Sequence, residues 1–393
     1  MMVTYDAIVV GLGVAGAASA HQLAREGQRV LGLDRFSPPH LHGSSHGGSR
    51  IIREAYFEDS GYVPLVRRAY DLWQEVERQS GETLLVPTGG VTIGAPNGTL
   101  VRGAEHSAVT HAIPHEILSS HEIVRRYPAL RPDADMVGVL ERRAGVLMPE
   151  ACVRTLIGQA AANGAEIHTD EPVLDWSATS SEVQVRTARA RYSASALVLA
   201  AGPWLPDLLG EPRFGEPRFG LWVERQVMHW FAGADARSAN DRTPITLWEY
   251  EPGGMFYTIP DIGAGTKAAF HHAGERGRAD EIRRDVTAGE IEAIERIVAR
   301  FVPGLAPRVL RSATCLYTNT PDQHFLIDRH PDHPRVVLAS ACSGHGFKFA
   351  PAVGELVAGL VTGTTASPPP LFSLERRPGS PDRASAQPTL PTA

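Results

Sequence analysis

Two lysines are the first candidates for chemistry in this chain, because arginine supplies nearly all of its positive charge. Lys267 and Lys348 are the only lysines among 38 Lys and Arg residues. Lysine is a compact point charge whose pKa shifts on burial, and the planar arginine side chain cannot replace it in a tight pocket. Chance could also leave two lysines in an arginine-rich chain. Their surroundings favour function, since Lys348 lies in CSGHGFKF and Lys267 precedes His271 by four residues.

A glycine-rich turn near the N-terminus predicts a dinucleotide site. GLGVAG supplies Gly11, Gly13 and Gly16, between an apolar strand at 5–10 and a helix at 17–26. The first glycine permits a tight turn, the second lets a pyrophosphate approach the backbone, and the third allows close packing of helix and strand. The amino end of the helix would then face the phosphate charge.

The next strand ends in an acid at the distance that ribose binding requires. Residues 30–33 form the predicted strand, and Asp34 follows it, 23 positions after Gly11. A carboxylate here can accept hydrogen bonds from ribose hydroxyls. A glycine motif alone is weak support, but strand, helix and acid together indicate dinucleotide binding.

Later segments favour FAD over NAD, because further pieces of one nucleotide-binding fold recur along the chain. We predict a helix at 151–162, a strand at 164–173 that ends near Val173, and a buried strand at 196–200. A further strand at 336–341 leads into a second helix at 347–360. Gly202, in AAGPW after the buried strand, can let the backbone approach the cofactor. A helix that follows glycines also suits the C2 carbonyl end of a flavin, which becomes anionic on reduction.

Length and composition predict two domains of overall α/β class. With 393 residues, 43% of them hydrophobic, the chain exceeds the size at which single cores stop growing. We assign a discontinuous, Rossmann-type FAD-binding domain to 1–88, 148–222 and 321–365, and a second domain over the flavin to 89–147 and 223–320. The tail 366–393, rich in Pro, Ser and Thr, is expected to be mobile. The tandem EPRFG repeat at 211–220 receives no function.

Charge, cysteines and histidines exclude several classes of protein. A net charge of -6 without long runs of Lys and Arg argues against nucleic-acid and membrane-surface partners. The apolar N-terminal run lacks the basic residues of an export signal, and no segment is long and apolar enough to span a bilayer. Three separated cysteines suit a reducing compartment, so we expect a cytoplasmic protein. The histidines have no convincing ligand spacing, and we expect no metal.

Five motifs resemble the D-amino acid oxidase-like flavoproteins, specifically the family of monomeric sarcosine oxidase and N-methyltryptophan oxidase. They are GLGVAG with Asp34, GSSHGGSRIIREAY at 43–56, GTKAAFHH at 265–272, ATCLYTNTPDQHFLID at 313–328 and SGHGFKF at 343–349. The resemblance extends over residues 4–362. It implies a substrate domain on a large, mostly antiparallel sheet. It also implies oxidation of secondary amines, typically N-methyl amino acids, with oxygen as acceptor.

By this resemblance, Cys315 and Lys267 act on the flavin and on oxygen. Cys315 matches the family cysteine that bonds covalently to the flavin 8α-methyl, which requires a thiolate. Cys152 and Cys342 are interpreted as buried, inert thiols. Lys267 matches the lysine near flavin N5 that speeds the reaction with oxygen, because a fixed cation in a dry pocket stabilises developing negative charge. A salt-bridged core lysine is the alternative.

The resemblance also implies a set of substrate contacts. Arg53 and Lys348 match the pair that holds the substrate carboxylate. Arg50 matches the residue that lies against the flavin ring, although its i, i+3 spacing to Arg53 also suits a solvated helix face. His271 and Tyr257 match positions that shape and polarise the pocket, and each could instead be structural.

One position departs from the sarcosine-oxidising members, and it leaves the substrate side chain open. Trp248, in TLWEYEPGG, stands where a slimmer methionine lines their pocket. It could narrow the site, stack on an aromatic amine or point into the core. The remaining residues predicted to bind the cofactor are Ser44, Val173, Gly202, Trp204, Gly344, His345 and Gly346, and Lys348 is predicted to contact the cofactor as well as the substrate.

Together these residues predict a monomeric, FAD-dependent amine oxidase for a small-molecule amine and O2. An N-methyl amino acid similar to sarcosine is the first candidate substrate. The alternatives are a cyclic imino acid such as proline or pipecolate, a glycated amino acid or a biosynthetic intermediate. Two other classes are an NAD-dependent reductase, which has no use for Cys315, and an inactive flavin-binding partner.

Overall fold

The computed structural model describes residues 4–211, 218–233 and 243–376. Most of the EPRFG repeat and the tail beyond residue 376 lie outside the described residues. The α-helices in this part of the chain are α1 Val14–Arg25, α2 Val63–Ser80, α3 Thr99–Thr110, α4 Ser120–Arg126, α5 Pro149–Ala162, α6 Leu205–Leu208, α7 Ala288–Phe301 and α8 Ala350–Thr362.

The first sheet has the arrangement of a nucleotide-binding fold. Its strands, numbered along the chain, are β1 Thr4–Val10, β2 Val30–Leu33, β9 Glu166–His168, β10 Val173–Ala178, β11 Val183–Thr187, β12 Arg191–Leu199, β19 Leu326–His330 and β20 His333–Ser340. β1 lies between β2 and β12 and is parallel to both, and β20 pairs in parallel with the end of β12. Helices α1, α5 and α8 pack together against this sheet. The carboxyl ends of its parallel strands therefore share one edge, where such sheets bind ligands.

The second sheet is mostly antiparallel. Its strands are β5 Gly90–Gly94, β6 His115–Ser119, β7 Val137–Glu141, β13 Trp222–Gly233, β14 Ile245–Glu251, β15 Gly254–Ile259, β16 Thr266–His271, β17 Arg276–Gly277 and β18 Leu305–Asn319. Only β5 and β14 pair in parallel among the described strands of this sheet. α7 covers one face, and its start is fixed by a capping box between Thr287 and Glu290. A small third sheet contains β3 Arg50–Ile52, β4 Leu85–Pro87 and β8 Gly145–Leu147.

The predicted fold class is confirmed by this pairing of a parallel, helix-covered sheet with a mostly antiparallel one. The strand predicted at 30–33 has the predicted bounds, and α1 and α5 begin a few residues earlier than expected. The helix predicted from 347 begins as a short 3-10 turn, Phe347–Phe349, before α8.

One local prediction is wrong. The predicted strand does not run to Val173, because β9 ends at His168 and Val173 opens β10 instead. Asp170 has a left-handed φ of 52° and Pro172 follows it, so the extended chain is interrupted there. Near the start of the predicted tail, Phe372 is only 2% exposed and packs in the core, and the mobility of the tail stays a prediction.

Candidate active site

A cavity of about 630 Å³ lies between the carboxyl edge of the first sheet and the second sheet. Its wall contains the predicted residues Gly11, Gly13, Asp34, Ser44, Arg50, Arg53, Val173, Gly202, Trp204, Trp248, Tyr257, His271, Cys315, Gly344, His345, Gly346 and Lys348. Gly16 and Lys267 lie behind this wall. The chain thus brings together motifs that are separated by more than 300 positions.

The glycine turn shapes one end of the cavity. A Cβ added at Gly16 would stand 1.7 Å from the carbonyl oxygen of Gly11, so only glycine allows α1 to pack this closely on the turn. Gly11 itself has a φ of 89°, and an added Cβ would meet the backbone of Ala200 at 2.6 Å. The amino end of α1 faces the cavity without a side-chain cap at Gly13. This end of the cavity fits a pyrophosphate.

Asp34 braces the same turn. Its buried carboxylate accepts hydrogen bonds from the N–H groups of Leu12 at 2.6 Å and Phe36 at 2.8 Å. Trp204 lies nearby on the wall, and its indole N–H donates to Asp280 at 2.7 Å. An acid at the end of β2, with its side chain on the cavity, fits the ribose position of a dinucleotide.

Cys315 faces the cavity from β18 beside a guanidinium group. Its side chain is 2% exposed, and Arg50 Nη2 lies 3.6 Å from its Sγ. Arg50 also donates to the carbonyl oxygens of Ser44 at 2.6 Å and Ser49 at 2.8 Å, which fixes its position. Burial raises the pKa of the Cys152 and Cys342 thiols.

Lys267 lies one layer behind the cavity wall, against the loop that carries Arg50. Its ammonium group donates to the carbonyl oxygens of Gly47 at 3.1 Å and Ser49 at 2.5 Å. The Glu150 carboxylate accepts hydrogen bonds from two N–H groups of this loop, that of Gly47 at 2.7 Å and that of Gly48 at 3.1 Å. Burial, followed by the charge of Arg50, lowers the pKa of Lys267 well below its usual value. Among the described residues its hydrogen-bond acceptors are carbonyls, so this geometry does not support a salt-bridged core lysine.

Arg53 is buried and already paired. One of its nitrogens donates to both oxygens of the Glu58 carboxylate, at 2.8 and 2.7 Å, and another donates to the carbonyl of Ala55 at 2.8 Å. Its guanidinium carbon lies 4.4 Å from the centroid of the Tyr56 ring. Arg50 belongs to β3 and Arg53 is 4% exposed, so the two arginines do not form a solvated helix face.

Lys348 presents a second buried cation to the cavity, from the turn before α8. Its Nζ donates to the carbonyl of His345 at 2.6 Å and to the Tyr56 hydroxyl at 3.4 Å. Burial, followed by the charge of Arg53, lowers the pKa of Lys348 to about 7, and Glu58 opposes this shift. An anionic ligand here would restore the positive charge of Lys348.

His345 is held by contacts within the protein. Tyr56 donates to its Nδ1 at 2.5 Å, and its Nε2 donates to the carbonyl of Gln323 at 2.9 Å. These two bonds assign the proton of the neutral ring to Nε2. Burial lowers the pKa of His345 to about 3, so the ring stays neutral. The ring therefore adds no charge to the cavity wall, and the backbone carbonyl of His345 holds Lys348 in place.

His271, Tyr257 and Tyr317 line the cavity in their neutral forms. Burial, followed by His272, lowers the pKa of His271 well below its usual value. Burial raises the pKa of Tyr257 to about 12 and that of Tyr317 well above its usual value. The three side chains can donate or accept hydrogen bonds without adding charge to the cavity.

The strand register gives the orientation of Trp248. In β14 and β15, Leu247 lies opposite Tyr257, and Trp248 lies opposite Phe256. Because side chains alternate between the two faces of a sheet, Leu247 points with Tyr257 toward the cavity and Trp248 points away. Trp248 borders the cavity, but it is fully buried and its ring stacks on Phe256 at 5.5 Å between centroids. Of the orientations that the sequence allows, the structure has the one into the core.

Several residues of the site were not identified from the sequence. Glu58 follows Arg53 by five positions in REAYFE, and nothing in that spacing shows that the chain folds back to form an ion pair. Tyr317 was accessible to inference, because it stands two positions after Cys315 on a strand and therefore shares its face. Glu150 was not, since its acceptance of the loop N–H groups depends on tertiary structure.

Two further searches are confined to the described residues. No helix in residues 4–211, 218–233 and 243–376 has the length and apolar character to cross a membrane. In the same part of the chain, no three His, Cys, Asp or Glu side chains converge as a metal site would require.

Comparisons with known proteins agree with the geometry. The family model described as DAO, FAD dependent oxidoreductase, matches residues 6–360. The chain is 44% identical to monomeric sarcosine oxidase of Streptomyces avermitilis, over 97% of the chain and 100% of that protein. It is 32% identical to N-methyl-L-tryptophan oxidase of Salmonella heidelberg, over 92% of the chain and 96% of that protein. The solved structure of NikD, an unusual amino acid oxidase essential for nikkomycin biosynthesis, shares the fold with a TM-score of 0.80 and 23% identity, over 92% of this chain and 95% of that chain.

Proposed function

The chain belongs to the family of FAD-dependent oxidoreductases, and we propose that it oxidises the secondary amine of an N-methyl amino acid to an imine while O2 is reduced to H2O2. One observation carries this proposal: the cavity contains two buried cations, Arg53 and Lys348. The same cavity also contains the glycine turn that fits a dinucleotide. FAD, when bound, supplies the acceptor for the electrons of the substrate C–H bond. Water then hydrolyses the imine to an amine and an aldehyde.

The substrate carboxylate is assigned to Arg53 and Lys348. Charge-assisted hydrogen bonds from two cations can fix both the position and the orientation of a carboxylate. The Arg53–Glu58 ion pair must then open or share its arginine, since Glu58 occupies one guanidinium nitrogen with both oxygens. Lys348 gains charge as the anion binds, because its pKa starts at about 7.

The substrate amine is assigned to the neutral wall formed by His271, Tyr257 and Tyr317. A secondary amine must be deprotonated before its neighbouring C–H bond can be oxidised. A wall without further positive charge accommodates the neutral amine. The His271 imidazole can accept a hydrogen bond from the N–H of this amine. Leu247 and Met255 border the same space with apolar side chains, and we propose that they limit the size of the substrate.

The cofactor is assigned to the glycine turn, Asp34 and the loop at 43–50, with Cys315 as its covalent attachment point. The guanidinium of Arg50, 3.6 Å from Cys315 Sγ, supports this choice over the other two cysteines. Lys267 is assigned to the reaction with oxygen. The division into an FAD-binding domain at 1–88, 148–222 and 321–365 and a substrate domain at 89–147 and 223–320 agrees with the two large sheets and remains part of the proposal. Action as a monomer in the cytoplasm stays a prediction.

Anaerobic bleaching of the flavin absorbance tests the reaction. Sarcosine, N-methyl aromatic amino acids, proline and pipecolate should be compared with N-methyl amines that lack the carboxylate. We expect an N-methyl amino acid to bleach the flavin at least tenfold faster than its decarboxylated amine, because the amine leaves Lys348 without an anionic partner and Arg53 with Glu58 alone. Equal rates would point to a simple amine oxidase, and bleaching by NADH alone would point to a reductase.

Acid precipitation tests the covalent attachment. The denatured wild-type protein should stay yellow and fluoresce as a gel band, and Cys315→Ala should lose this property. Cys342→Ala is the matched control, because Cys342 also lines the cavity and should retain the covalent flavin. Flavin that is freely extracted from the wild-type protein would exclude the attachment.

A further inference from the structure

The chain beyond α8 closes over the back of the candidate carboxylate site. We call residues 369–376 the C-terminal strap. Phe372 inserts between Tyr62 and Phe325, with ring centroids 5.4 Å from each. Asp328 accepts two hydrogen bonds from the strap, at 3.0 and 2.9 Å. The strap is therefore fixed by both apolar and polar contacts.

An ion pair links the end of the strap to a turn at 320–324. Arg376 donates to both oxygens of Asp322, at 2.7 and 3.1 Å, and their side chains are only 14% and 11% exposed. Asp322 also accepts from the hydroxyl of Thr320 at 3.1 Å and from the N–H of His324 at 3.2 Å. Arg376 thus orients the carboxylate that shapes this turn.

The turn in turn holds His345 and Lys348. Gln323, at the tip of the turn, has a left-handed φ of 60°, and its carbonyl accepts the His345 Nε2–H at 2.9 Å. The carbonyl of His345 accepts a hydrogen bond from the Lys348 ammonium at 2.6 Å. The His345 ring accepts one from the Tyr56 hydroxyl at 2.5 Å. A continuous series of polar contacts therefore connects the strap with the cavity.

We propose that the C-terminal strap, through Arg376, positions the ammonium group of Lys348 in the candidate carboxylate site. Arg376 lies outside the cavity wall, so it acts as a positioning residue. The naming of a carboxylate as the ligand rests on the proposed function. The position of the Lys348 ammonium does not, and it can be measured without any ligand.

The presence of only two lysines provides a site-resolved measurement. The purified holoenzyme is treated briefly with acetic anhydride, and mass spectrometry gives the acetylation rates of Lys267 and Lys348. In Arg376→Ala we expect Lys348 to be acetylated about threefold to tenfold faster, which lies in the lower part of the range for residues coupled through one polar network. The rate at Lys267 should stay within twofold, because Lys267 contacts a different loop. A chain truncated after Arg376 is the matched control and should resemble the wild type at both lysines.

Binding of acetate-type carboxylates, measured by calorimetry, provides the second readout. We expect Arg376→Ala to weaken this binding about threefold or more, and to have no further effect in a Lys348→Ala background. An unchanged Lys348 acetylation rate, or equal increases at both lysines, would overturn the role of the strap. A wild type that binds no carboxylate while Arg376→Ala still exposes Lys348 would refute the proposed function and leave the strap intact. If Arg376→Ala does not fold, Asp322→Asn serves as the test under the same criteria, because it removes the charge at constant size.

Discussion

Glu58 holds Arg53 through two hydrogen bonds of 2.8 and 2.7 Å, inside the wall of the cavity that also contains Lys348. Burial opposes the ionisation of Glu58, but the charge of Arg53 outweighs it and holds the pKa of Glu58 below its usual value, so the carboxylate is ionised. A ligand carboxylate must therefore displace Glu58 from Arg53 or share the guanidinium with it, and in both cases the two anions compete for one cation. Glu58 therefore already binds Arg53, one of the two cations of the candidate carboxylate site.

This competition predicts that removing the Glu58 charge strengthens ligand binding. In Glu58→Gln we expect acetate-type carboxylates to bind about tenfold more tightly, because a buried cation is left without its partner. In Arg53→Ala and Lys348→Ala we expect binding at least about tenfold weaker. Titration of the flavin spectrum measures all three variants.

The double variant supplies the control for this prediction. Glu58→Gln should give no gain in an Arg53→Ala background if the two residues act as a pair. A gain of similar size with and without Arg53 would show that Glu58 repels the ligand from elsewhere. No gain in either background would contradict the competition.

The pH dependence of carboxylate binding should report the charge of Lys348. Its pKa of about 7 means that the free enzyme loses this cation as pH rises through 7. Affinity should be nearly constant between pH 5.5 and 6.5, about ½–1½ units below that pKa, and fall by up to tenfold per pH unit above it. An acetate-type ligand is suitable, since its own carboxyl group is already ionised throughout this range.

The other groups that face Lys348 do not titrate in this window. Burial lowers the pKa of His345 to about 3, and burial raises that of Tyr56 well above its usual value. Burial opposes the charged forms of Arg53 and Glu58. Their mutual attraction outweighs burial, so it raises the pKa of Arg53 and lowers that of Glu58. Lys348→Ala should consequently abolish the dependence between pH 6 and 9. A pH profile that persists in this variant would assign the titration to another group.

Replacement of Lys267 should separate the two half-reactions. In Lys267→Met we expect flavin reduction by substrate close to the wild-type rate, and reoxidation by oxygen slower by roughly two or more orders of magnitude, the scale of one preorganised charge. Stopped-flow absorbance measures each step. The variant also removes one hydrogen bond from each of two carbonyls, but the Ser49 carbonyl keeps Arg50 as a donor and the Gly47 carbonyl keeps the Ser49 N–H, so a loss of stability of about 1 kcal/mol is expected.

Glu150→Ala separates the charge of Lys267 from its support of the loop. Glu150 holds the N–H groups of Gly47 and Gly48, so its removal loosens the same loop and retains the cation. We expect reoxidation in Glu150→Ala to remain within about tenfold of the wild type. An equal loss of reoxidation in both variants, or equal slowing of both half-reactions in Lys267→Met, would assign Lys267 a structural role.

The sequence predicted the cofactor side of the site better than the substrate side. The glycine turn and Asp34 are recognisable because turn geometry and strand ends depend on local sequence. Cys315 and the two lysines were identified from motifs. The Arg53–Glu58 pair depends on how the segment after β3 folds back, and no periodicity encodes that.

The tail shows a second limit of sequence reasoning. Its composition of small and polar residues predicted mobility from residue 366, whereas Phe372 is buried in the core and Arg376 forms an ion pair with Asp322. Phe372 fills a space between Tyr62 and Phe325 that is formed by distant parts of the chain. Average composition cannot show such a complementary space.

The last prediction concerns two neighbouring residues on opposite faces of β14. Leu247 faces the cavity with Tyr257, so Leu247→Ala should raise kcat/KM for a bulky N-methyl amino acid relative to sarcosine by about tenfold, the scale of one or two methylene contacts in an apolar pocket. Trp248→Phe loses the indole hydrogen bond to Thr246 of 2.6 Å and part of its packing. It should cost about 1–3 kcal/mol in the free energy of unfolding and leave the substrate ratio within twofold. Steady-state kinetics on both substrates, with denaturant unfolding, compare the variants. A larger change of the substrate ratio in Trp248→Phe than in Leu247→Ala would show that the indole, and not Leu247, contacts the substrate.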